Sequence, residues 1–169
     1  YMDELAKLQD SATPAAWDDV RISLGQELGA DPLEVFAEFN TTPIASASIG
    51  QAYAATLKDG SSVVVKIRRP GIVPEVEADL SILQSLAGYA SRHWEAARDY
   101  DVKGFMDEFA DTLRKEMDYV QEGHNADRFA LNFENDAAVI IPRVYWEHST
   151  SKVLTMQRLY GMKVTDTKA

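Results

Sequence analysis

The sequence contains no cysteine, which excludes disulfides and thiolate metal sites and fits a reducing compartment. No apolar run approaches the roughly 20 residues needed to cross a bilayer, and the start does not read as a signal peptide. Basic charge is short: 17 Lys and Arg stand against 27 Asp and Glu, for a net charge of -10. That balance argues against non-specific binding to nucleic acid or anionic lipid headgroups. Glycine is scarce where a phosphate loop would need it. Residues 41–71, TTPIASASIGQAYAATLKDGSSVVVKIRRPG, have the layout of a nucleotide-cradling hairpin ending in a lysine-bearing strand, yet alanine and serine fill most of the loop.

Against these absences, 46% of residues are hydrophobic and 26% charged, an ordinary balance for a folded, soluble chain. A length of 169 residues suits one domain, and such a domain buries roughly 70% of its unfolded surface. The first residue is Tyr, not Met, so a segment of a longer protein is expected.

The first forty residues read as helices. Thr13-Pro14 looks like a cap with proline at the first helical position, followed by Trp17, Val20, Ile22, Leu24 and Leu28, with Gly29 closing the helix. Asp31 and Glu34 are spaced for a capping box, with Leu33, Phe36 and Phe39 on the buried side. From Pro43 the pattern becomes strand-like over 43–57 and 62–68, and Asp59-Gly60 predicts a tight type I′ hairpin turn. Helices are expected over about 75–97, patterned by Leu80, Leu83, Leu86 and Ala87, and over about 102–132, patterned by Phe105, Phe109, Leu113 and Val120. Strands over about 139–146 and 152–157 follow, with Gly161 near a loosened end. The expected fold is α+β, one antiparallel sheet with helices on one side.

In Val63-Val64-Val65-Lys66-Ile67-Arg68, alternation puts Val63, Val65 and Ile67 on one face and Val64, Lys66 and Arg68 on the other. An ammonium in mid-strand needs either solvent or an anion. Asp118 and Glu122 are placed one turn apart, with Glu116 near the apolar stripe. Like charges so spaced repel unless a cation faces them, and Lys66 is the candidate. A strand lysine held by a helix glutamate is how kinases place nucleotide phosphates.

The stretch PIASASIGQAYAATLKDGSSVVVKIRRPGI resembles the alanine-rich loop and lysine strand of the UbiB family, atypical kinase-like ATPases associated with ubiquinone and isoprenoid-lipid metabolism. EMDYVQEGHNADRF resembles that family's Glu-x-Asp signature, KVLTMQRLYG its last strand and hinge, and ELAKLQDSATP its lead-in helices. The resemblance implies a protein-kinase-like N-lobe over 41–169 behind a family-specific helical extension over 1–40. It implies ATP or ADP bound by Ala45, Ser46, Ala47, Ser48, Ile49, Gly50 and Gln51 of the loop, by Val64, Lys66 and Glu122, and at a hinge over about 157–162 by Met156, Gln157 and Leu159. Glu116 and Asp118 would be a regulatory motif, and Asn125 completes a Glu-x-x-Asn pattern.

Departures from the family pattern are Val64 where alanine is usual, Tyr53 for a common histidine, and Gln157 for a common glutamate. The family's Lys-x-Gly-Gln motif, a His-x-Asp catalytic loop and a metal-binding Asp-Phe-Gly do not occur in these residues. No catalytic residue is therefore assigned, and Mg²⁺ is expected only with a C-lobe. His93, His124 and His148 read as surface or structural residues, Arg68-Arg69 as a solvated strand end, Met106, Met117 and Phe109 as core, and Trp17, Trp94 and Trp146 as packing anchors. Three functions are open: the nucleotide-binding lobe of an ATPase or kinase, a non-catalytic pseudokinase module, or a helical interaction domain. Expected partners are a nucleotide and, in the full protein, a quinone or isoprenoid lipid or its biosynthetic proteins. The expected location is cytoplasmic or membrane-associated on the reducing side. Alanine and serine restrict backbone approach and positive φ, so a stiffer loop than a glycine loop is expected.

Overall fold

A computed structural model describes residues 14–161; Thr13, the stretch ELAKLQDSATP apart from Pro14, and the end of the hinge at residue 162 lie outside them. Helix α1, Trp17–Leu28, starts after Ala16, which provides no side-chain cap, so Pro14 lies outside the helix and not at its first position. Asp18 and Asp19 in the first turn suit the positive end of the helix dipole. Gly29 closes α1 at φ 76°, its N–H bonding the Gly25 carbonyl. Val20 and Leu24 are fully buried, whereas Ile22 is exposed.

The one-turn helix α2, Pro32–Val35, is capped by the Asp31 carboxylate, which accepts from the Leu33 N–H and from Arg21. Phe36 is buried beyond it and Leu33 is exposed. The chain then enters strand β1, Glu38–Phe39, so the helical reading of the first forty residues ends at Val35.

The sheet comprises β1, β2 (Ala45–Ser46), β3 (Gly50–Thr56), β4 (Ser62–Arg68) and β5 (Val153–Gln157), in the order β1-β3-β4-β5 with β2 also on β3, all antiparallel. The strand read over 43–57 is thus two strands, with the chain folding back between them through an Ala47 N–H to Gly50 carbonyl bond of 2.8 Å. The β3–β4 connection is a type I turn closed by a glycine bulge, not type I′. Gly60 has φ 86° and donates to the Leu57 carbonyl, Leu57 donates to the Ser61 carbonyl, and Asp59 keeps negative φ. The Asp59 carboxylate accepts the Ser61 N–H at 2.8 Å, which holds Asp59 in that turn.

Alternation along β4 divides two cores. Val63, Val65 and Ile67 pack with Tyr53, Ala55, Val153 and, from α1, Val20 and Leu24. On the opposite face Leu154 packs with Tyr119 and Val144, flanked by Ala126, Trp146 and Met156. Helices therefore cover both faces of the sheet, not one.

Helix α3, Ile72–His93, is followed by the short α4, Glu95–Asp99, and by α5, Val102–Glu116. Helix α6, Tyr119–Asn132, is separate from α5. The single helix expected over 102–132 breaks at Met117-Asp118, because Asp118 turns extended and caps α6 by accepting the Val120 N–H at 3.0 Å. Arg68 of β4 donates to the Met117 carbonyl at 2.9 Å, so Arg68 fastens this break instead of ending the strand in solvent.

In the arm formed by α3 and α5, Leu80, Ala87 and Ala110 are buried, while Leu83, Leu86, Phe105 and Phe109 are exposed. Trp94 is also exposed, unlike Trp17 and Trp146. The strand expected over 139–146 is reduced to one bridge, Val144 to Met156, before a 3₁₀ turn at Trp146–His148. Pro142 has no N–H to give a ladder. Among the described residues, no helix is long and apolar enough to cross a membrane.

Candidate functional site

Strand β4 turns Val64 and Lys66 toward the face that α6 covers, while Arg68 at its end also borders α1. Lys66 Nζ donates to both carboxylate oxygens of Glu122, at 2.6 and 2.7 Å. The two residues that the resemblance pairs are thus joined, and of solvent and an anion it is the Glu122 carboxylate that meets the Lys66 ammonium. Their side chains are 31% and 42% exposed, so this is a half-solvated pair, and such pairs contribute little stability. Two of the three ammonium protons are engaged, which leaves one donor for a further acceptor.

The Tyr119 ring lies under the same ammonium, 5.3 Å from Nζ to centroid. Ala45, Ala47, Ile49, Gly50, Gln51 and Ala52 enclose a cavity of about 250 Å³ together with Lys66, Glu116, Tyr119 and Glu122. The alanine-rich hairpin and the ion pair therefore share one cavity.

The remaining expected site residues are spread more widely. Ser46 pairs with Gln51 across β2–β3, and Ser48 is exposed at the bend. Gln51 is buried and accepts a hydrogen bond from the Tyr53 hydroxyl at 3.2 Å. Val64 lies across from Met156 in the β4–β5 register. Gln157 is exposed and takes the Arg143 N–H at 3.4 Å, and Leu159 is exposed. None of Val64, Met156, Gln157 and Leu159 lines the cavity of the ion pair.

Glu116 is exposed at the end of α5 and borders the cavity, rather than projecting toward an apolar stripe. Asp118 is occupied as a cap, so it does not share a helix face with Glu122 as a free carboxylate. Glu116, Asp118 and Glu122, with Thr112, Lys115, Gln121 and Asn125, line a second cavity of about 360 Å³, which shares Glu116 and Glu122 with the first.

The histidines are structural. His93 bonds the Tyr89 carbonyl and stacks on its ring, His124 packs on Trp146, and His148 on Phe36. Among the described residues, no group of three or more His, Asp or Glu is placed to hold a metal ion.

Tyr119 was not singled out from the sequence, where an aromatic in a helical stripe reads as core. The signal available was its spacing: Tyr119 and Glu122 are three apart and so share a helix face. Burial chiefly, with the Glu122 carboxylate adding and Arg68 opposing, pushes the Tyr119 hydroxyl up to about 12. It remains a protonated donor at neutral pH.

A lysine in a central strand, clamped by a glutamate from a helix beneath a hairpin loop on a five-stranded antiparallel sheet, defines the N-lobe of a protein-kinase-like fold. Residues 7–169 match the ABC1 atypical kinase-like domain, and the chain belongs to that family. A probable protein kinase UbiB of Pseudomonas entomophila is 39% identical over 164 residues, covering 97% of this chain and 30% of that protein. The probable protein kinase UbiB of Marinobacter nauticus is 35% identical over 167 residues, covering 99% and 30%. Among solved structures, that of the Mycobacterium tuberculosis protein Rv3197 in complex with erythromycin superposes with a TM-score of 0.81 at 34% identity, covering 98% of this chain and 40% of that one. The chain spans about 30% of the length of the curated relatives it matches.

Proposed function

We propose that this chain is the ATP-binding N-lobe of a UbiB-type atypical kinase or ATPase, whose parent serves quinone or isoprenoid-lipid biosynthesis. The observation that carries the reading is the Lys66–Glu122 pair opening into a cavity roofed by the alanine-rich hairpin. An ammonium held by a carboxylate is fixed in place while keeping one proton for a phosphate oxygen. The residues present fit the phosphate end of a nucleotide. The base would lie further along the same sheet face, by Val64 and Met156. The UbiB names of the relatives and the resemblance of the loop, the Glu-x-Asp segment and the hinge support the pathway.

Thermal unfolding of the intact protein with and without ATP or ADP tests the reading. Nucleotide at about 100 times its dissociation constant stabilises by about 2.7 kcal/mol, a rise of several degrees for a domain of this size. Lys66→Ala removes most of that rise. A rise that survives the substitution places the nucleotide elsewhere, and its absence from the unsubstituted protein overturns the proposal.

A further inference from the structure

Tyr119 touches three parts of the candidate site at once. It is the first residue of α6, 4% exposed, and follows the Asp118 cap, so its backbone position is fixed by the helix start. Its N–H also donates to the Ser151 carbonyl at 3.1 Å, which ties it to the loop before β5. Its ring backs the Lys66 ammonium on one side while Glu122, one turn on, takes the same ammonium on another. Its hydroxyl is pressed against Gly50, where the alanine-rich bend joins β3. A methyl group added at Gly50 would overlap the Tyr119 hydroxyl oxygen and would stand 2.9 Å from the Ile67 carbonyl. Gly50 does not have positive φ, so glycine is needed there for the approach of the tyrosine and of β4, not for backbone freedom.

We infer that Tyr119 is a positioning residue of this site: its ring holds the Lys66 ammonium and its hydroxyl sets the height of the alanine-rich hairpin above that ammonium through Gly50. The inference rests on the proposed nucleotide site. A loop of alanines cannot adjust its backbone as a glycine loop does, so a rigid spacer beneath it fixes the headroom for phosphate. The protonated state of the buried hydroxyl keeps that spacer neutral and uncharged beside Glu122.

Four variants of the intact protein test this by nucleotide titration, with amide hydrogen exchange of the ligand-free protein in parallel. Tyr119→Leu, which loses both ring and hydroxyl, weakens ATP binding by about five- to ten-fold through the lost cation–π contact. Tyr119→Phe, which keeps the ring but not the hydroxyl, weakens ATP binding by about two- to three-fold, less than Tyr119→Leu does, while exchange becomes faster at the Ala47 amide, which bonds within the loop, and at the Arg69 amide, which bonds the Ile49 carbonyl of the loop. Gly50→Ala weakens binding by about ten-fold or more, since overpacking displaces the hairpin. Gly50→Ala with Tyr119→Phe binds at least about two-fold tighter than Gly50→Ala alone, because removing the hydroxyl relieves one of the two clashes of the methyl and leaves that with the Ile67 carbonyl. Relief of a clash in the core alone would appear as recovered stability; recovered nucleotide affinity, together with faster loop exchange in Tyr119→Phe, marks a spacer that sets the hairpin over the site. Wild-type affinity in Tyr119→Leu, or a double variant no better than Gly50→Ala, overturns the inference. If unsubstituted protein binds no nucleotide, the proposed function fails, and hydrogen exchange decides the spacer role alone: unchanged loop exchange in Tyr119→Phe and in Gly50→Ala overturns it.

Discussion

Glu27 shows how far one carboxylate can join distant parts of this fold. It lies in α1 with a side chain only 17% exposed, and it accepts from Lys152 Nζ at 2.5 Å and Thr150 Oγ1 at 2.8 Å, at the entry to β5. Burial pushes this carboxyl up, but the hydrogen bonds from Lys152 and Thr150 and the charges of Lys152 and Arg68 outweigh it, so its pKa falls below the ordinary 4.5. A depressed carboxylate stabilises the fold above the unfolded-state pKa, and that contribution is lost as pH falls below 4.5 through the folded value. Glu27→Gln should lower stability by about 1 kcal/mol at pH 7, and its melting temperature should converge with wild type in acid. A gap that stays constant from neutral to acid pH would show that the charge of Glu27 is not what matters. The alanines of the loop make a second residue-level prediction, because the Ala47 N–H already closes the bend on Gly50. Replacing Ala45 and Ala47 with glycine should change nucleotide affinity, and equal affinities for both ATP and ADP would remove their side chains from the account. Lys66 was legible because mid-strand lysine breaks the alternation of a structural sheet, and Glu122 as one of three helix carboxylates in want of a cation, from which the resemblance singled it out. Tyr119 was not, since the same burial serves core and site.

At the scale of elements, the sequence reading held where one pattern had one physical meaning, and failed where a polar side chain redirected the backbone. The apolar stripe from Leu113 to Val120 runs straight through Met117-Asp118, so periodicity alone reads one helix. The carboxylate of Asp118 offers the Val120 N–H a better partner than a continued helix does, and the chain breaks there. Asp118→Ala should therefore cost about 1 kcal/mol through the lost cap. It should also weaken nucleotide binding, because the cap sets the start of the helix that carries both Tyr119 and Glu122. Stability loss with unchanged affinity in the folded fraction would separate the cap from the site. The same kind of override decided the β3–β4 turn, where Asp59 bonds the Ser61 N–H and leaves only Gly60 at positive φ. Gly60→Ala should destabilise by about 1 kcal/mol from backbone strain alone, since no atom lies near the added methyl; a neutral effect would show that the turn relaxes.

In the molecule as a whole, the two cores on the sheet and the α3–α5 arm differ in what holds them. The sheet cores gather buried side chains from α1, β3, β4, β5 and α6. The arm has Leu80, Ala87, Ala97 and Ala110 as its buried residues, fastened by the paired hydrogen bonds of Arg114 to Glu77 at 2.8 and 2.9 Å and of Gln84 to Asp107 at 2.8 Å. Periodicity tells which residues share a helix face but not whether another element covers that face. This is why Leu83, Leu86, Phe105 and Phe109 read as core yet lie exposed. Three alanines and one leucine bury little apolar area, and the Arg114 pair is too solvated to compensate. The arm should therefore open as a unit well before the sheet. Leu80→Ala removes its largest buried side chain, at a cost of about 3 kcal/mol. Exchange of the α3 and α5 amides should quicken by about a hundred-fold, the factor to which that cost converts. The amides of β4 that pair with β3 and β5 should keep their protection, and the Lys66–Glu122 pair its place against β4. If β4 loses protection in step with α3, the arm and sheet unfold together, and the fastening of Arg68 to the Met117 carbonyl is then strong enough to make the lobe one cooperative body.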